Sequence, residues 1–219
     1  MSFHEKLEHL GRRFRERLGP HLAEAFALDM DALDGVRKRA LREGETFPGA
    51  RLADQDGRVV DLHQVYQQGP VLLTFYRGGW CPFCRLALGE FEAAAQDAAP
   101  AGVQAFAVSP EQPRFAQDTM AENGLSFGIL YDEGGRLADA AGVRVAVPPD
   151  RRAILTPSDT PLPERNGDES WTLPLPATYV IERGGRIAFA HIDPDFRRRL
   201  SRDEIKAALA RSLAQPAAG

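Results

Sequence analysis

Two residues dominate the chemistry available to this chain. Cys81 and Cys84 are its only cysteines, in the run Arg77-Gly78-Gly79-Trp80-Cys81-Pro82-Phe83-Cys84. Two thiols so close together cannot close a long structural loop, so their use is chemical, and a reversible dithiol–disulfide pair is the chemistry this spacing permits. The reactive form is the thiolate, which the unpaired N–H groups and positive dipole end of a helix N-terminus stabilise. Pro82 suits a first helical position, where its missing N–H costs nothing, so Cys81 is expected as the cap of a helix beginning there. Arg77 and Arg85 add positive charge nearby. Cys84, Leu88, Phe91 and Ala95 follow helical spacing along one apolar face, so Cys84 is predicted to point into the core and Cys81 to sit at the exposed end. Residues three apart on a helix lie about 5–6 Å from each other, inside the Cα range a disulfide tolerates.

Other uses of the pair fit less well. A structural zinc site needs four ligands, and no second cysteine pair exists, while His4, His9, His21, His63 and His191 show no ligand spacing. A Cys–His nucleophile would need one of those histidines brought over in space. Gly78-Gly79 lacks the G-x-G-x-x-G spacing of a dinucleotide site and serves more simply to let backbone approach the cysteines, so no cofactor and no metal are expected. Pro176, in Leu173-Pro174-Leu175-Pro176-Ala177-Thr178-Tyr179-Val180-Ile181, immediately precedes an apolar strand pattern and is a candidate cis-peptide, or simply a strand starter.

The elements that must position these residues can be read from periodicity. Apolar residues at helical spacing (Phe3, Leu7, Leu10, Phe14, Leu18, Leu22, Phe26) make 1–43 a helical extension, with Gly19-Pro20 dividing it into two or three helices, and a candidate dimer contact. Arg51 to Asp54 and Arg58 to Asp61 flank an Asp56-Gly57 hairpin turn. Val71 to Tyr76 is a continuous apolar run suited to a strand buried on both faces. Helices at Pro82 to Asp97, Arg114 to Asn123 and Arg136 to Ala141 alternate with strands at Val103 to Ser109 and Ser126 to Tyr131, which predicts parallel crossovers in an α/β sheet. Ala177 to Glu182 and Arg186 to Ile192 form an antiparallel hairpin through Arg183-Gly184-Gly185, followed by a helix at Arg202 to Leu213. Between these parts, Pro148 to Pro176 holds seven of the 16 prolines and reads as a lid, a binding loop or a surface insertion. Arg197-Arg198-Arg199 reads as a solvated charged turn, with recognition of an acidic partner as the alternative.

Composition narrows the class. Hydrophobic residues make up 43% and charged residues 26% of the 219, near globular averages, and no apolar run approaches a membrane span. With 27 basic against 31 acidic residues and a formal charge of −4, there is no global field to attract nucleic acid or an anionic membrane. Met1 to Lys6 lacks the apolar stretch of a secretory signal, which predicts a cytoplasmic protein.

At these residues the chain resembles the peroxiredoxin-like (alkyl hydroperoxide reductase/thiol-specific antioxidant) branch of the thioredoxin superfamily, and within it a subfamily bearing Arg-Gly-Gly-Trp-Cys-Pro-x-Cys. Besides Phe75 to Cys84, the likeness covers Gly44 to Asp61, Ala107 to Glu111, Leu130 to Gly134, Leu175 to Ile181, Gly184 to Ile187 and His191 to Phe196. It implies an α/β thioredoxin-like fold over 44–215, with a central mixed sheet flanked by helices. It also implies a thiol-based antioxidant enzyme in which Cys81 and Cys84 react, supported by Arg77, Trp80, Pro82 and a Pro176 loop lying against them. In ordinary peroxiredoxins the peroxide-attacking cysteine falls at Cys84, a threonine at Cys81 and an arginine near Pro176. Helical phase favours Cys81 as the nucleophile instead, and the sequence leaves both assignments open.

Three functions follow. The first is a thiol peroxidase that reduces hydrogen peroxide or organic hydroperoxides with electrons of thioredoxin or glutathione type. The second is a protein disulfide oxidoreductase without a dedicated peroxide site. The third is a non-catalytic binding module in which the pair is only structural.

Overall fold

The computed structural model describes residues 1–150, 152, 161–195 and 197–214, with the side chains of 18–32 and 213–214 outside the description. Its frame is a seven-stranded mixed sheet in the order β2-β1-β5-β4-β3-β8-β9. Here β1 is Arg51–Asp54, β2 Val59–Asp61, β3 Val71–Phe75, β4 Gln104–Ser109 and β5 Gly128–Tyr131, with β8 Ala177–Ile181 and β9 Ile187–Ile192. A separate pair, β6 (Arg144–Ala146) and β7 (Thr172–Pro174), stands apart from the sheet. Strands β3, β4 and β5 run parallel, whereas β8 pairs antiparallel with both β3 and β9.

The middle strand shows why the sheet carries helices on both faces. Along β3 side chains alternate by the two-residue period, so Leu72 joins one apolar cluster while Val71, Leu73 and Phe75 join the other. The first cluster is completed by α3 (Pro82–Ala98), α4 (Pro113–Asn123) and α7 (Arg202–Ala214), the second by α2 (Leu62–Gln68) and α5 (Arg136–Ala140). Both faces are covered, as parallel strands require. Apart from α2, the β6–β7 pair and a short helix within the proline-rich stretch, which the periodicity did not signal, the strands and helices from β1 onward fall within a few residues of their expected places.

Two expectations change. The N-terminal region is one helix, α1 (Phe3–Arg39), running through Gly19-Pro20. Proline inside a helix costs about 3 kcal/mol through a lost hydrogen bond and a steric clash, but the two halves are anchored separately. Ser2 and Glu5 form a reciprocal capping box at the start, Leu7 packs into the first cluster, and Val36 packs into the second. The proline-rich stretch is not a plain loop either, although part of it, 151 and 153–160, lies outside the described residues. Its ends are drawn together by β6 and β7, paired antiparallel from Arg144↔Pro174 to Ala146↔Thr172. Inside it a short helix, α6 (Leu162–Asn166), is tied to the body where Tyr131 Oη donates to the Asn166 carbonyl at 2.9 Å and the Gln112 N–H donates to the Arg165 carbonyl at 2.9 Å.

The Leu130 to Gly134 segment has a structural job of its own. Asp132, buried after β5, accepts hydrogen bonds from the Leu137 and Ala138 N–H groups at 2.8 and 2.9 Å, satisfying donors at the start of α5. Replacing Asp132 with Ala leaves those donors unpaired in the core, and the expected loss of stability is about 1–3 kcal/mol. Urea unfolding should show it as a lower midpoint at unchanged slope.

Candidate active site

The cysteine loop leaves the end of β3 and turns into α3. Cys81 caps α3 with extended backbone (φ −86°, ψ 114°), and Pro82 takes the first turn. The Cys81 N–H donates to the Gly78 carbonyl at 3.1 Å, and the Arg85 N–H opens the helical ladder by donating to the Cys81 carbonyl at 3.1 Å. The tightness of this turn depends on glycine. Gly78 has φ +142°, and a Cβ there would run into Trp80 and the Glu111 carboxyl; one on Gly79 would overlap the Thr119 hydroxyl.

The loop is held from behind by a buried carboxylate. Glu111, fully buried, accepts the Gly79 N–H at 2.7 Å through one oxygen and the Arg165 guanidinium at 2.8 Å through the other. Burial pushes its pKa up, opposed by the Gly79 N–H and Arg165. Because Arg165 belongs to α6, the proline-rich segment and the cysteine loop share this carboxylate. Arg165 also lies over the Phe115 ring, 4.5 Å from its centroid.

The thiols are free, adjacent and unlike. Cys81 is 2% and Cys84 1% exposed, so the expectation of an exposed Cys81 is corrected. It caps the helix as foreseen, but the loop that delivers it packs into the first apolar cluster beside Tyr76, Phe83 and Leu7 of α1. A hydrogen bond from the Cys84 thiol draws the Cys81 pKa down to about 6, against the penalty of burial and with help from Arg77 and Arg199. Burial drives the Cys84 pKa the other way, reinforced by the Cys81 sulfur. The pair is therefore polarised, with Cys81 the thiolate-prone member and Cys84 the one that keeps its proton. Among the described residues no set of three or more His, Cys, Asp or Glu side chains could hold a metal ion.

Of the residues expected around the pair, Arg77 is buried with its guanidinium 5.2 Å from the Trp80 ring centroid. Pro82 opens α3, and Pro176 is buried directly before β8. Since Ala177 pairs with Phe75, Pro176 flanks the strand end from which the cysteine loop departs. The peptide bond before it is trans, because no described peptide bond is cis; Leu175 meets the body instead through its N–H to the Val143 carbonyl at 2.7 Å. Arg85 turns outward to pair with Glu122 at 2.9 Å and does not serve the thiols.

Arg199 is the residue the sequence reading missed. Expected in a solvated turn, it lies instead against the dithiol, donating from Nη1 to the Arg198 carbonyl at 2.7 Å and leaving Nη2 buried without a hydrogen-bond partner. Arg198 is the exposed member of that run, near Asp193, while Arg197 is half-buried and paired with Asp195. Arg199 and Cys84 line one cavity of ≈ 20 Å³, with Tyr76 and Thr178 also in its wall, enough for about one water-sized group. No spacing rule signals a residue that arrives from beyond β9. Glu111 could have been singled out, because it closes the Ser109-Pro110-Glu111 segment that carries part of the resemblance.

The comparisons agree with this geometry. The AhpC/TSA family model matches residues 44–190. The chain belongs to the AhpC/TSA family. This AhpC/TSA chain is 31% identical over 151 residues to the thiol-disulfide oxidoreductase ResA of Halalkalibacterium halodurans, covering 68% of each protein. Its fold is similar to that of a peroxiredoxin-like protein from Aquifex aeolicus (TM-score 0.62, 15% identity, 79% of this chain and 88% of that one). It is also similar to the peroxidoxin BcpB of Mycobacterium tuberculosis (TM-score 0.57, 19% identity, 80% and 95%). The fold is thus thioredoxin-like and the family one of oxidoreductases. Among the described residues no helix is long and apolar enough to cross a membrane.

Titration by thiolate ultraviolet absorbance should show one group ionising near pH 6, the value to which Cys81 is drawn. The same group should titrate higher in Cys84→Ala and in Arg77→Leu, since each removes a contribution that favours the thiolate, whereas Arg85→Leu should leave it in place.

Proposed function

We propose that this protein is a thiol-dependent peroxidase of the subfamily carrying Arg-Gly-Gly-Trp-Cys-Pro-x-Cys, working through a Cys81–Cys84 dithiol–disulfide cycle in a thioredoxin-like domain at 44–215. The observation that carries the reading is the placement of the pair: two free, adjacent thiols at the head of α3, with Arg77 and Arg199 beside them favouring the thiolate on Cys81.

In the cycle, the Cys81 thiolate attacks one peroxide oxygen. The S–O bond forms as the O–O bond breaks, and the leaving oxygen departs as water or alcohol after taking a proton. Cys81 is then a sulfenic acid, and the neighbouring Cys84 sulfur displaces its hydroxyl as water to give the disulfide. An external thiol donor of thioredoxin or glutathione type returns two electrons and two protons. Arg77 and Arg199 flank the sulfurs, where cationic donors stabilise the charge that builds on the departing oxygen. Arg199, with its buried free Nη2, supplies near Cys84 the cation that the peroxiredoxin pattern lacks at Pro176. Trp80 holds Arg77 through its ring, and Pro82 starts the helix whose N-terminus favours the thiolate.

A second reading is a protein disulfide oxidoreductase. It is favoured by the similarity to ResA and by Cys81 standing where peroxiredoxins keep a peroxide-holding threonine. A brief peroxide pulse decides between them. The expected outcome is an intramolecular Cys81–Cys84 disulfide in the wild type, a sulfenic acid on Cys81 in Cys84→Ser, and loss of the peroxide consumption in Cys81→Ser. If peroxide leaves the thiols reduced while insulin disulfides are cleaved, the disulfide reading replaces the peroxidase.

A further inference from the structure

The buried pair raises the question of how a reductant reaches it, and the structure holds a second, larger space on the far side of Arg199. A groove of ≈ 690 Å³ runs between the N-terminal half of α1 and the segment after β9, a size in the range of small-molecule sites. Arg199 and Leu200 line both this groove and the small cavity at Cys84, so these two residues form the partition between them.

The groove is set up for negative charge. Its carboxylates are engaged: Asp195 takes Arg197 through both oxygens at 2.6 and 2.8 Å, Asp193 lies 3.7 Å from Arg198, and Glu204 takes the Ser201 N–H and hydroxyl, each at 2.7 Å, with His4 at 3.2 Å. The ion pair Arg12 makes among the described residues is with Glu8, at 3.9 Å. Among the described residues Arg15 and Arg199 make no ion pair, and Arg199 Nη2 and His191 Nε2, on two residues of the lining, are buried without a partner. Cationic and polar groups left unpaired around one concavity are what a carboxylate-bearing ligand would satisfy.

We propose that this groove binds the reductant, a tripeptide-sized thiol carrying carboxylates, and delivers its sulfur past Arg199 and Leu200 to the oxidised pair. This rests on the Cys81–Cys84 cycle proposed above. In the step, the ligand thiolate attacks Cys84 Sγ, the Cys81–Cys84 bond breaks, and Cys81 leaves as the thiolate. Departure from this side is favoured because the thiol with the lower pKa is the better leaving group. A second ligand thiolate then displaces Cys84 from the mixed disulfide. The ligand leaves as its own disulfide, having given up two electrons, and the two protons released from its thiols restore the protein dithiol.

Glutathione and its S-methyl derivative, whose sulfur cannot exchange, are the probes. Calorimetry should show S-methylglutathione binding to the wild type, and the Arg12→Ala/Arg15→Ala double variant, which alters exposed lining side chains of the groove and leaves the residues around the two thiols in place, should bind about tenfold more weakly. The same variant should raise the glutathione concentration needed for half-maximal reduction of the Cys81–Cys84 disulfide by a similar factor. Its reduction by uncharged dithiothreitol should be unchanged. No saturable binding of S-methylglutathione, or equal glutathione dependence in variant and wild type, overturns the groove proposal. Should oxidants form no disulfide at all, the cycle falls and the delivery step with it, and S-methylglutathione binding lost in the variant would then uphold the groove as a carboxylate site alone. Turnover with dithiothreitol but no S-methylglutathione binding keeps the cycle and removes the groove.

Discussion

The site depends on one thiol donating a hydrogen bond to another in a place almost without solvent. Water levels the difference between two thiols; removing it makes each local donor count. At the head of α3 the Cys84 thiol is the strongest influence on Cys81, and it outweighs the burial that would otherwise keep Cys81 protonated. The same contact, seen from Cys84, adds to burial and keeps that proton in place. A chemically identical pair of thiols thus becomes unequal, Cys81 drawn toward the thiolate and Cys84 held in the protonated form. Two arginines, Arg77 from the loop and Arg199 from beyond β9, supply the positive charge in a region otherwise built from apolar side chains.

This arrangement needs a rigid backbone turn, and Glu111 supplies the rigidity. Its carboxylate takes a loop N–H on one side and a guanidinium on the other, so the conformation of Gly79 and the docking of α6 are linked through one group. An unpaired carboxylate in this position would be costly to bury. Loss of Arg165 would therefore reach the cysteine loop without any direct contact with sulfur, and the proline-rich excursion acts as part of the scaffold around the site.

Burial also sets the terms of exchange with the outside. Both sulfurs lie behind side chains, so any partner must approach through a partition, and on the Cys84 side that partition consists of Arg199 and Leu200. A cation makes a suitable wall, because an incoming anion can attract the group that blocks it. The N-terminal helix contributes by packing Leu7 into the same cluster as the cysteines, which makes the extension one side of the groove.

Much of this could be read in the chain before folding. Alternation along Val71 to Phe75, the turn chemistry of Asp56-Gly57, the proline after Cys81 and the apolar stripe from Cys84 to Ala95 are local patterns. They identified the strands, the helix cap and the closeness of the two thiols because periodicity and backbone propensity act over a few residues. The single α1 helix went unread because anchoring on two sheet faces, a nonlocal effect, overrides a local helix breaker. The exposure of Cys81 was misjudged for a related reason: helical phase gives a side chain's direction along its own helix but not what other elements place over it. Which arginine of a run of three turns inward was likewise decided by tertiary packing, as were the Glu111–Arg165 contact and the groove beside α1. Charges and hydrogen bonds between residues far apart in sequence exist only once the sheet has brought them together, whereas the two thiols, three residues apart, were neighbours from the start.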